Sequence, residues 1–279
     1  MDKCLELRRL WAMSDSRYQA SLSYSSYLKV NELLELQKPV SDGPEHDEML
    51  FIVIHQTYEL WFKQLIHEFK RVMVLLNEDK LFETLAVLGR IRTIYKTLVA
   101  QIDILETMTP LQFNSFRGRL ESSSGFQSSQ FRKVEAILGR RDTSMSSHYD
   151  PASKDFKEIN KLLNKPSLWD CVLNHLSRRK HNFPEEVINR DVTVQYELNP
   201  EVEKGILAAY KTDPEASLLL EQLVDIDEGQ QEWRYRHVKM VERTIGAKVG
   251  TGGSSGAQYL ITTLFKPTMP ELWSVRSQL

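Results

Sequence analysis

Apolar residues recur at steps of three and four along most of the chain. From Leu81 they fall at Leu81, Leu85, Leu88, Ile91, Tyr95, Leu98, Ile102 and Leu105, a period that lays one apolar stripe down a long helix. The stretch before it predicts another helix, from about Glu48 to Leu76. The loop SDGPEHDE at 41–48 leads into it and supplies acidic residues suited to a first helical turn. The first half of that helix, MLFIVIHQTYELWF, is apolar on nearly every face, which predicts burial within a large domain. Further helices are predicted at 24–37, 129–139, 152–163, 167–179, 200–210, 215–225 and 226–248. Period-two alternation is scarce; DVTVQYEL at 191–198 is the best strand candidate and also fits an extended loop. The pattern predicts an all-α fold, a single large helical domain over 21–279 with an N-terminal arm at 1–20.

Composition narrows the function classes. The 279 residues are enough for a sizeable core. Net charge is −2, and so near a balance argues against a nucleic-acid partner held by bulk charge. The longest apolar run, near MLFIVIH, falls far short of the ~18 residues that cross a bilayer, so no membrane span is expected. Cys4 and Cys171 lie far apart in helix-like sequence, which argues against a disulfide framework and predicts a reducing, cytoplasmic setting. The N-terminal MDKCLELRRLWAMSDSRYQ is charged throughout and predicts no signal peptide.

Several residues offer chemistry, each with a plainer alternative. Phe51, His55, Tyr58 and Phe62 share one helix face. His55 is thus either a hydrogen-bonded core histidine or the floor of an aromatic pocket. His67 and Glu68 lack the second histidine of a zinc motif. His46, beside Asp47 and Glu48, suits a helix start. In LQFNSFRGRLESSSGFQSSQFR, Arg117 follows Phe113 and Phe116; an arginine among aromatics is a stacked structural group or a clamp for a carboxylate. His237 lies on an apolar stripe with Trp233, Met240 and Val241. It is a satisfied core residue or the single protein ligand that a haem iron needs. GTGGSSG at 250–256 has neither the lysine nor the preceding strand of a phosphate loop.

Taken together, these blocks resemble the tryptophan 2,3-dioxygenase family. The likeness lies in LSYSSYLKVNELLELQ (22–37), HDEMLFIVIHQTYELWFKQL (46–65), FNSFRGRL with SSGFQSSQFR, WRYRHVKMVERTIGAKVGTGGSSGAQYL and PELWSVR (270–276). It runs from about Leu22 to Arg276 and is weak from about 140 to 225.

The resemblance implies an enzyme that uses haem b, ferrous in the active state. It would cleave the indole C2–C3 bond of L-tryptophan with O2 to give N-formyl-L-kynurenine, the first step of the kynurenine route. His237 would be the axial ligand of the haem iron. His55 would accept the indole N–H, and Phe51, with Ile52, Val53 and Ile54 around it, would form the distal pocket. Arg117 would hold the substrate carboxylate, with Phe113 beside it, and Leu120, Ser124 and Gly125 would line the pocket. Thr251, with Gly252, would meet the ammonium from a substrate-responsive flap. Tyr24, Tyr27 and Leu28 would reach in from a neighbouring subunit of a homotetramer. Two rivals share the fold: a haem enzyme that inserts one oxygen atom into a substituted indole, and a haem-binding sensor without enzymatic activity.

Overall fold

Short polar side chains set where the helices begin. Thr109 accepts the N–H of Gln112 while the Gln112 side chain reaches back to the Thr109 N–H, and Ser167 and Asp170 form a second such pair. Each pair satisfies two of the amide groups that a first turn leaves without partners. Ser128, Ser153, Asn199 and Asp213 cap further helices with one side chain each. The structure, a computed structural model, describes residues 21–142, 145–246, 248 and 260–279. No strand occurs among the described residues, as the all-α expectation requires.

The chain divides into two compact units at Val40/Ser41, whereas the sequence pattern carries the main domain back to residue 21. In the smaller unit the helix expected over 24–37 is two short ones, α1 (Tyr24–Leu28) and α2 (Val30–Leu34). They part at Lys29, whose φ of 55° is left-handed and ends a helical ladder. Leu22, Tyr24, Tyr27, Leu28 and Leu34 are all exposed there.

The larger unit is built on three long helices: α3 (His46–Asn77), α4 (Leu81–Leu105) and, later in the chain, α11 (Pro214–Ile245). Between them come α5 (Pro110–Arg117), α6 (Ser129–Ile137), α7 (Lys154–Leu163), α8 (Leu168–Arg178), α9 (Glu185–Ile188) and α10 (Pro200–Thr212). The short α12 (Pro270–Ser274) follows α11. Helix α4 packs along both α3 and α11. Its stripe Leu88, Ile91, Tyr95, Leu98 and Ile102 is buried in the main core, as the spacing predicts. At Gly229 an added Cβ would sit 3.1 Å from the Tyr95 Cβ, so glycine there permits the close approach of α11 to α4.

Two expectations need correction, and one left open is decided. The break expected near 225–226 is absent, and 214–245 is one helix. Two polar residues just past that point, Asp227 and Gln230, are buried and bonded: Tyr95 donates to Gln230, and Thr268 and Trp273 donate to Asp227. Residues 191–198 form a pinned loop, in which Val192 accepts from the buried Arg141 guanidinium and Tyr196 donates to Glu271. Finally, α3 is not covered all round. Ile54, Tyr58, Phe62, Leu65 and Phe69 are in the core, while Met49, Val53 and Leu60 are exposed. Among the described residues, no helix is long and apolar enough to cross a membrane.

Candidate active site

One large cavity in the larger unit is walled by α3, α4, α5, α6 and α11 together with the turns at 124–128 and the segment at 260–263. Its aromatic end is a cage. The Phe51 ring lies 4.1 Å from that of His55, 5.7 Å from Phe113 and 5.6 Å from Phe116, and Phe113 meets Phe116 edge to face at 5.5 Å. The capped start of α5 fixes this arrangement and carries Arg117, its last residue, to the cavity wall.

His55 is held by its own helix. Its Nδ1 lies 2.7 Å from the carbonyl oxygen of Phe51, one turn back. A carbonyl only accepts, so Nδ1 carries the proton and Nε2 is the acceptor nitrogen of the ring. Burial pushes the His55 pKa down, more than the Phe51 carbonyl raises it, and the ring is neutral at physiological pH.

His237 lines the same cavity from α11. Its ring stacks on that of Trp233, one turn earlier, at 5.2 Å and 6°. Trp233 is in turn wedged against Phe62 and Phe131, at 5.7 and 4.8 Å. Burial, with a smaller contribution from His55, brings the His237 pKa down to about 4. The imidazole is therefore neutral and makes no hydrogen bond among the described residues. A neutral, rigidly stacked imidazole with a free lone pair is the state a metal requires of a histidine ligand.

The predicted site residues sort clearly. Phe51, His55, Phe113, Arg117, Ser124, Gly125 and His237 come together on the cavity. Leu120 packs against the core beside it. Of the distal-helix neighbours, Ile54 points into the core and Val53 outward, and with Ile52 they lie off the cavity wall. Ser124 also caps the turn at 125–127, accepting from the Phe126 N–H. Tyr24, Tyr27 and Leu28 are exposed in the smaller unit, and Thr251 and Gly252 lie outside the described residues.

Some wall residues were not singled out in the sequence: Glu59, Phe131, Arg132, Glu135 and Arg140. Arg132 and Glu135 stand three apart on α6, a spacing that hints at a pair. Arg234 joins them from a distant part of the chain, and no local pattern announces that.

Fold and cavity together define a class: an all-helical protein whose long helices enclose an aromatic pocket bearing two neutral histidines and an arginine. Comparison with known proteins gives that class its family. A model of the tryptophan 2,3-dioxygenase family matches residues 12–168 and 210–279. The chain is 52% identical to a tryptophan 2,3-dioxygenase of Herpetosiphon aurantiacus, over 93% of this chain and 99% of that protein. It is 51% identical to one from an Anaeromyxobacter species, over 95% and 98%, and 41% identical to one from Caulobacter vibrioides, over 92% and 98%. The chain belongs to the tryptophan 2,3-dioxygenase family.

Proposed function

We propose that this chain cleaves the indole C2–C3 bond of L-tryptophan with O2, inserting both oxygen atoms to give N-formyl-L-kynurenine. The observation that carries the reading is one cavity holding two neutral imidazoles with different tasks. His237, stacked and without a hydrogen bond among the described residues, would hold the iron of haem b. His55, its Nδ1 proton engaged by Phe51, offers Nε2 as an acceptor.

Haem iron, when bound in its ferrous state, supplies the activation of dioxygen. The chain's own residues do the rest. Phe51 and Phe113 form an apolar slot for the indole, and His55 Nε2 accepts its N–H, fixing which edge of the ring faces the reacting oxygen. Arg117 holds the carboxylate as a charge-assisted pair. Thr251, from the glycine-rich stretch, meets the ammonium. Apolar walls keep water from the reacting atoms. A zwitterion clamp beside an indole slot suits an amino-acid substrate and has no use in a sensor.

The exposed apolar residues suit an oligomer. Met49, Val53 and Leu60 on α3, and Tyr24, Tyr27 and Leu28 on α1, are surfaces that a homotetramer would cover, with α1 completing a neighbour's pocket. The buried free thiol of Cys171 is in keeping with a reducing cytoplasm.

A spectroscopic titration tests the reading. Haem-loaded, reduced protein should show a Soret band that shifts saturably with L-tryptophan. His237→Ala should bind haem far more weakly, since it removes the imidazole that would hold the iron. Unchanged haem affinity in that variant would assign the axial ligand elsewhere.

A further inference from the structure

The turn at 124–128 gives Ser124, Gly125, Phe126 and Ser128 to the cavity wall. Its own bonds are short-range. Ser124 caps it, and Gln127 and Ser128 donate back to the Ser124 and Gly125 carbonyls at 2.9 and 3.1 Å. These bonds shape the turn but do not fix where it stands in the fold. Contacts from elsewhere do that. On the cavity side the Arg132 guanidinium lies over the Phe126 ring at 4.7 Å.

A second hold comes from outside the cavity. Tyr149 donates its hydroxyl to the Gln127 carbonyl at 3.0 Å, from 22 residues along the chain. The neighbouring His148 ring meets Phe126 edge to face, with centroids 4.7 Å apart at 78°. Neither residue lines the cavity. The half-buried Tyr149 ring has a firm base: it packs on a small second core of Ala136, Met145, Ile159 and Leu163, where α6 meets α7. Burial pushes the phenol up to about 12, so it stays a donor throughout the physiological range. An anchored ring, a directed hydrogen bond and an edge contact thus converge on one short turn. A single hydrogen bond near the surface adds little to global stability. It can set the position of a wall segment, and binding is sensitive to small displacements of such a segment.

We propose that Tyr149 and His148 are positioning residues for the substrate: from outside the cavity they hold the 124–128 turn so that Ser124 and Gly125 stand at a fixed place against the bound amino acid. The proposal rests on the tryptophan reading above. Neither residue touches the substrate, so both act through the turn, and on binding more than on the reacting atoms.

The experiment uses haem-loaded, reduced protein. The Soret shift gives the Kd for L-tryptophan, and product formation gives KM and kcat. Tyr149→Phe removes the hydroxyl and keeps the ring on its core. Kd and KM should rise about three- to tenfold, the range of one hydrogen bond, while kcat stays within about twofold. Haem affinity and melting temperature should not change. His148→Ala should raise KM in the same way, and His148→Phe, which keeps an edge-on ring, should restore it. Tyr210→Phe, which removes a hydroxyl bonded to Arg276 off the cavity wall, should keep the wild-type KM. Because Tyr149 and Ser124 share one turn, Tyr149→Phe should cost less in a Ser124→Ala background than alone. Unchanged tryptophan affinity in both Tyr149→Phe and His148→Ala would overturn the proposal. So would a lost affinity matched by lost haem binding or a lower melting temperature, which would make the pair structural. Costs of Tyr149→Phe and Ser124→Ala that simply add would overturn it too. Wild-type protein with no Soret response to L-tryptophan would sink the tryptophan reading, and the proposal with it.

Discussion

The Nδ1 atom of His55 sits 2.7 Å from the carbonyl oxygen of Phe51, so the helix that carries this histidine also fixes its tautomer. With burial holding the ring neutral, Nε2 is left as an acceptor in an aromatic cage. His55→Phe keeps the shape of the cage and removes that acceptor. For L-tryptophan, kcat/KM should fall by on the order of tenfold to a hundredfold, the value of one buried hydrogen bond. For 1-methyl-tryptophan, which has no indole N–H, the same substitution should change little. Equal losses on the two substrates would remove His55 from indole recognition.

Arg117 is expected to act on binding. Arg117→Met should raise KM for L-tryptophan by about tenfold to a hundredfold, the range for a charge-assisted contact. Tryptamine, which lacks the carboxylate, should bind wild-type and variant protein alike. A variant that weakens tryptamine as much as tryptophan would make Arg117 a structural residue of the wall.

The histidines also predict how acid affects the haem-free protein. His237 has an ordinary pKa of 6.5 in the unfolded chain and about 4 when folded. Between those values the unfolded chain takes up a proton that the folded one refuses. Stability is therefore full above pH 6.5 and falls as the pH drops toward 4. His55, shifted in the same direction, adds to the slope. Chemical denaturation at several pH values should show this loss, and His237→Phe should flatten part of it. A wild-type slope that His237→Phe leaves untouched would place the titrating group elsewhere.

Asp227 fastens the C-terminal segment to α11. It is 1% exposed and accepts from the Thr268 N–H, the Thr268 hydroxyl and the Trp273 indole, at 3.0, 2.8 and 2.8 Å. Asp227→Ala leaves three part-buried donors without their partner and should cost about 2 kcal/mol. Asp227→Asn keeps the volume and one acceptor oxygen and should cost less. Denaturation midpoints measure both, and a loss in Asp227→Ala below about 1 kcal/mol would contradict the account.

Much of this was legible in the chain. The stripe from Leu81 to Leu105 gave one helix because its apolar side chains keep a single period and meet no glycine or proline at a core position. Phe51, His55 and Arg117 could be marked because each combines a polar or aromatic group with an unusual local setting. The reading failed where polar residues are buried on purpose. Asp227, Gly229 and Gln230 sit inside one helix: Asp227 and the Gln230 side-chain oxygen accept from partners far along the chain, and Gly229 makes room for Tyr95. The Glu135 cluster was only partly legible: Arg132 and Glu135 keep a pairing distance on α6, but Arg234 joins them only when α6 and α11 meet. The alternation at 191–198 came from a loop whose anchors are the Arg141 guanidinium and Glu271, not from a neighbouring strand.

The central claim is that the cavity delivers both atoms of one dioxygen molecule to the indole of L-tryptophan. Haem-loaded, reduced protein supplied with L-tryptophan and doubly labelled dioxygen tests it most directly, with the product mass as readout. N-formylkynurenine carrying two labelled oxygen atoms is the expected result. A product with a single labelled oxygen, or no product from fully haem-loaded and reduced protein, would contradict it.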